Sequence, residues 1–284
     1  MPSLAEKLDA LKPKVPDDYS RSVLDGAGFA LAHNENPLRL NFFSTAMRML
    51  FEHMMDSLAP RDKVVRCSWF KKEMEDGKAT RAQRALYAIQ GGFTSEFVNE
   101  HLGVDPAPLA KALRSAIDEL SKQIHGRENT ISTDVAEQDA LADGILNAMT
   151  AFLDAARETR DEVLRPVQEA LDDAAVDAMM FETIQEIDEL SSHYSLEEVY
   201  VDRTVVHEIG PEAIVYRSTG TVSVTLQWGS NSDLRRGEGA ELDQSFPFQC
   251  DITLPLDHPW DLDMAEAVAG VDTSEWWDAR APEE

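Results

Sequence analysis

Apolar positions recur at helical spacing from the N-terminus to about Leu190 and at every second residue beyond Val199. Leu4, Leu8 and Leu11 mark a short first helix that stops before Pro13, and a second helix follows Asp17. Asn36-Pro37 predicts the cap and first turn of a third, whose Phe43, Met47, Leu50, Phe51 and Met54 make a broad face that must be buried. Residues 80–90, closed by Gly91-Gly92, predict another helix, as do a short segment from Thr94 to Gly103 and residues 109–124. From Asp134 to Leu190 the helical pattern is nearly continuous, with Pro166 as its break. Residues 64–70 mix strand-like and aromatic side chains and fit neither period.

Beyond Leu190, residues 205–209, 213–216, 221–228 and 246–254 read as strands. Gly210-Pro211, Ser218 to Gly220 and Gly229 to Gly239 supply turn signals between them, which predicts an antiparallel meander of four or five strands. The fold class is therefore α+β, with an N-terminal all-helical domain over residues 1–190 and a small antiparallel β domain over 191–284. Residues 191–195 are the one linker candidate.

Charge sharpens that division. The 284 residues carry 53 acidic and 26 basic side chains, a formal net charge of −27, so sheathing of duplex DNA by bulk charge is excluded. Residues 191–284 hold 19 of the acids, only five arginines and no lysine. Against this background residues 61–84 are locally basic, and Arg61, Lys63, Arg66, Lys71, Lys72, Arg81 and Arg84 form the candidate nucleic-acid-binding surface. The two cysteines, Cys67 and Cys250, fall in different domains and exclude both a disulfide framework and a cysteine zinc site. With no signal peptide and no apolar run of membrane-spanning length, the expected setting is cytoplasmic.

Phosphate-binding glycine loops, nucleophile elbows and zinc-protease motifs are all missing, and nothing calls for a cofactor or a metal. Asp62, Glu73, Glu75 and Lys78 match a carboxylate–lysine nuclease set poorly, because their spacing puts the lysine in a turn. Arg48 and His53 have the residue types that metal-independent RNA cleavage needs: an imidazole to move a proton and a guanidinium to hold the phosphate as charge grows on it. On a regular helix their side chains diverge by about 140°, so a second element must help to assemble such a site. His125, in the polar segment 121–128, is the third catalytic candidate.

The segments His33-Asn-Glu-Asn-Pro-Leu-Arg39, Arg66-Cys-Ser-Trp-Phe70, Arg81 to Gly91 and Leu120-Ser-Lys-Gln-Ile-His125 resemble a bacterial group of predicted PIWI-associating nucleases. Residues 220–248 resemble the module that follows such proteins. The text Leu120-Ser-x-x-x-His125 is also similar to HEPN (higher eukaryotes and prokaryotes nucleotide-binding) helical ribonucleases. These resemblances imply an antiphage-defence setting and RNA cleavage at Arg48, His53 and His125. They also imply nucleic acid and a second defence protein as partners, with self-association compatible. The alternative is a non-catalytic adaptor whose two domains each bind a protein. The basic stretch discriminates between them: facing one cleft with Arg48, His53 and His125, it favours the nuclease.

Overall fold

Leu4–Leu11 (α1) and Asp18–Ala32 (α2) begin where the sequence pattern places them, each with a side chain satisfying free amides of its first turn. Ser3 and Glu6 form a reciprocal capping box on α1, and the Asp17 carboxylate accepts the Ser20 N–H at 2.8 Å on α2. This computed structural model describes residues 2–124, 134–181 and 184–278. They divide into two compact units, Met1–Arg160 and Asp161–Glu284.

The first unit is helical throughout its described residues: α1, α2, Arg39–Leu58 (α3), Arg61–Val64 (α4), Arg81–Gln90 (α5), Ser95–Leu102 (α6), Pro106–Ile124 (α7) and most of Val135–Leu164 (α8). Helix α3 packs on α2, α5 and α7, and its Phe43, Met47, Leu50 and Met54 are wholly buried. Each such side chain contributes roughly 1.5–3 kcal/mol by leaving water. Helix α5 begins one residue after the expected Thr80, which caps it together with Gln83, and ends at Gly91 with φ +61°. Helix α6 likewise runs from a Thr94 cap to a left-handed Gly103. The expected cap of α3 is corrected: the helix starts at Arg39, after Leu38, which makes no side-chain cap. Asn36 instead turns its Oδ1 to the Leu38 N–H at 3.0 Å, so the side chain closes a local turn before the helix begins. Residues 64–70 are neither strand nor long helix; the short α4 leads into turns, and Trp69 donates its indole N–H to the Gly91 carbonyl at 3.2 Å.

The second unit takes the end of α8, then Gln168–Phe181 (α9), Gln185–Asp188 (α10) and a sheet of His193–Ile209 (β1), Ala213–Trp228 (β2), Ala240–Pro255 (β3) and Glu266–Val271 (β4). Pro166 falls between α8 and α9, as its missing N–H requires. The change of period near 190 marks where helix gives way to strand, whereas the compact units part earlier, within α8. Strand order is β1-β2-β3-β4 with every neighbouring pair antiparallel. Helix α9 packs on the sheet, where a buried polar chain links Asp172 to Thr204 Oγ1 at 2.5 Å and Thr204 to Ser218 at 2.7 Å. Asp172 on α9 thus receives a hydroxyl from the sheet.

Three expectations for the sheet are corrected. Ser218 to Gly220 is not a turn but the middle of β2, because a bulge in β1 between Val201 and Arg203 carries the Tyr200 carbonyl across Gly220 and requires the absence of a side chain there. The linker candidate 191–195 already enters β1 at His193, and the turn expected from Gly229 to Gly239 contains a short helix, Asn231–Arg236 (α11), capped by Ser230. Strand β4 lies in the acidic C-terminal region, where its backbone pairing to β3 makes it a strand.

Cys67 and Cys250 are buried and unbridged. Mass spectrometry of the unreduced protein is expected to give the mass with both thiols intact, and alkylation after denaturation to label both. A mass lower by two hydrogens contradicts this.

Candidate functional site

The α-helical character of α3 is uninterrupted from Arg39 to Leu58, so Arg48 and His53 stay on different ridges of the helix. Arg48 belongs to the i, i+4 row with Glu52 and Asp56, and its Nε donates to Glu52 Oε1 at 3.2 Å. His53 points toward α2, where its Nε2 lies 2.7 Å from Asp17 Oδ2 and its ring centroid 4.7 Å from that of Tyr19. His125 lies outside the described residues.

Asp17 therefore has two tasks, since the carboxylate that caps α2 also receives the imidazole N–H. The hydrogen bond from His53, followed by those from Ser20, pulls its pKa down to about 2. An ionised Asp17 can only accept, so His53 Nε2 carries the N–H of this bond and Nδ1 is the ring nitrogen left over. His53 retains 38% of its side-chain exposure. Sequence reading recognised Asp17 as a helix start but could not find this role, because the pair joins residues 36 positions apart.

Around the other ridge, α3, α4 and α5 enclose a cavity of about 260 Å³. Arg61, Arg81 and Arg84 line it together with Glu52 and Asp56, while Phe51 and Met55 supply its apolar wall. Arg84 is only 6% exposed, donating from Nε to the Ala59 carbonyl at 2.9 Å and from Nη2 to Asp56 at 2.7 Å. It is a fixed wall of the cavity rather than a mobile surface contact. Arg61 reaches the Ala79 carbonyl at 3.5 Å, and Arg81 is exposed at the first residue of α5 with no hydrogen bond or ion pair among the described residues. Three of the seven basic candidates are thus brought to one cavity. Of the rest, Lys63 is half-buried on α4, while Arg66, Lys71 and Lys72 are exposed outside the cavity lining. Glu52, on its rim, is paired with Arg48, but neither Arg48 nor His53 lines this cavity.

Among the described residues no three His, Cys, Asp or Glu side chains converge as a metal site needs, and Asp62, Glu73 and Glu75 are not gathered. Arg39 was missed as an individual residue. Nearly fully buried, it donates from Nη2 to Asp139 at 2.7 Å and clamps the start of α3 to α8. Its position at the end of the His33–Arg39 segment therefore has a packing reason, and His33 caps α2 by donating Nδ1–H to the Phe29 carbonyl at 2.7 Å.

The architecture defines a two-unit α+β protein whose helical unit holds an arginine-lined cavity and whose second unit is an antiparallel sheet covered by a helix. Residues 12–149 and 156–277 each match a family described as predicted pPIWI-associating nuclease, and the chain belongs to that group. No curated protein and no solved structure matches it. No helix among the described residues is long and apolar enough to cross a membrane.

Proposed function

We propose that this chain is a nuclease that acts on RNA in antiphage defence together with a PIWI-type partner, its helical unit holding the nucleic acid and its acidic sheet unit recruiting or regulating. The observation that carries this reading is the gathering of Arg61, Arg81 and Arg84 around one cavity in a protein of net charge −27. Cations concentrated against such a background attract a phosphate locally while the rest of the surface repels nucleic acid.

Cleavage without a metal follows from His53. Its Nδ1 takes the proton of a ribose 2′-hydroxyl as that oxygen bonds to the adjacent phosphorus, and the 5′-oxygen leaves. The leaving oxygen must gain a proton, the role given to His125, and the products are a 2′,3′-cyclic phosphate and a 5′-hydroxyl. Arg48 is the guanidinium available to the phosphate as charge accumulates. Because His53 and Arg48 diverge on α3, a second subunit or the substrate itself must span the helix for both to act on one phosphate.

Alanine at Lys71, Lys72 and Arg81 together is expected to weaken RNA binding most at low salt. The slope of log affinity against log salt should fall by about 2, given roughly 0.7 for each single-strand phosphate contact. Wild-type cleavage should survive EDTA. Unchanged binding in the triple variant removes the arginine cavity and its surroundings from the reading. The divergence of Arg48 and His53 favours one second reading, a non-catalytic adaptor, and wild-type protein that binds RNA without cutting it selects that reading.

A further inference from the structure

The cavity between α3, α4 and α5 has more specific chemistry than a basic surface. Its two acids are already matched inside the protein, Glu52 by Arg48 at 3.2 Å and Asp56 by Arg84 at 2.7 Å. Asp76, the further acid whose carboxyl feels Arg61, is paired with Lys78 at 2.8 Å. Two guanidinium groups, those of Arg61 and Arg81, have no carboxylate ion-pair partner among the described residues. They stand at the amino-terminal end of α5, where the helix dipole adds to the attraction for an anion.

An internal phosphodiester carries one negative charge, whereas a terminal phosphate carries about 1.5 to 2 at neutral pH and has three acceptor oxygens. Size points the same way. At about 260 Å³ the cavity is smaller than the roughly 300–1,000 Å³ of ordinary ligand pockets. That volume suits one phosphate with its sugar. We propose that the Arg61–Arg81–Arg84 cavity binds the terminal phosphate of a single-stranded nucleic acid, so that the chain recognises phosphorylated ends. In this assignment Arg61 and Arg81 grip the phosphate oxygens. Arg84 is a positioning residue that holds Asp56 and the Ala59 carbonyl, keeping the wall of the cavity in place. The assignment rests on the nucleic-acid reading above but not on catalysis.

The test uses the full chain and ten-nucleotide RNAs whose riboses are 2′-O-methylated, which removes the attacking hydroxyl so that binding is read without cleavage. The strands carry a 5′-phosphate, a 3′-phosphate or hydroxyls at both ends, and a mononucleotide serves as a fourth probe. At physiological salt one phosphorylated strand is expected to bind about tenfold more tightly than the hydroxyl strand, the scale of one bidentate charge-assisted contact. Arg61→Ala and Arg81→Ala should each erase that difference. Lys71→Ala should weaken all strands alike. Competition by the mononucleotide at equal strength shows that a free nucleotide, not a strand end, is the ligand and overturns the proposal. So does equal affinity for phosphorylated and hydroxyl ends, or a preference that survives Arg81→Ala, whose exposed side chain supports no packing. If the end preference appears in a protein that cuts no RNA, the cavity stands and the nuclease reading falls; if cleavage occurs without any end preference, only this assignment falls.

Discussion

Replacing His53 with alanine is expected to lower RNA cleavage by roughly 10²–10⁴-fold, the usual contribution of a positioned acid–base group. The fold should be little disturbed, since His53 is partly exposed and meets only the edge of α2 through Asp17 and Tyr19. Asp17→Asn separates the two duties of the neighbouring residue. Asparagine caps a helix as well as aspartate, so α2 stays capped, but the amide carries no charge to fix the imidazole. Cleavage should therefore fall less than in His53→Ala. Full activity in Asp17→Asn would leave the pair structural.

The same pair has a signature independent of activity. Asp17 is held near pKa 2 chiefly by His53 and secondly by Ser20, so its carboxyl should titrate far below the ordinary aspartate range in an NMR titration. In His53→Ala the midpoint should rise yet stay lowered, because the Ser20 N–H still bonds the carboxylate. The sign for stability follows from the lowered value. The contribution of this carboxylate is fully present above the unfolded aspartate pKa of about 3.9 and is lost as pH falls toward 2. An Asp17 midpoint within the ordinary range would contradict the bond.

Gly220→Ala is expected to destabilise the sheet unit by about 3 kcal/mol, at the upper end of the usual cost of overpacking. A Cβ built there would stand 2.0 Å from the Tyr200 carbonyl oxygen and 2.7 Å from a ring carbon of Phe248. The first obstacle is backbone and cannot rotate away, so strands β1 and β2 must separate or the bulge must reorganise. Four of the five tryptophans, Trp228, Trp260, Trp276 and Trp277, lie in this unit, so denaturant unfolding followed by their fluorescence reads the loss. Gly144 gives the opposite control: it sits within α8 with nothing within 4 Å of a built Cβ, and alanine there should stabilise the helical unit by about 0.5–1 kcal/mol. Comparable stability in Gly220→Ala and the wild type would show that the Tyr200 carbonyl can yield.

What the sequence by itself determined lies where local physics is decisive. The periods of 3.6 and 2 assigned the helical region and the sheet because each period puts apolar groups on one side of its own element. Helix starts at Asp17 and Thr94, and stops at Gly91 and Gly103, were readable because a cap bonds amides within three residues of itself. Gly220 shows where that reading fails: a Ser-Thr-Gly text looks like a turn, and only the passing Tyr200 carbonyl from another strand makes it the centre of β2. Strand β4 escaped for the related reason that its identity comes from hydrogen bonds to β3. The candidate site divides in the same way. Residue types marked Arg48, His53 and the basic stretch, but chain folding alone put Asp17 beside His53, turned Arg84 into a buried wall and left Arg61 and Arg81 facing one cavity. Those pairings join groups far apart in the chain, and a sequence records which groups exist without recording which of them packing will force to share a space.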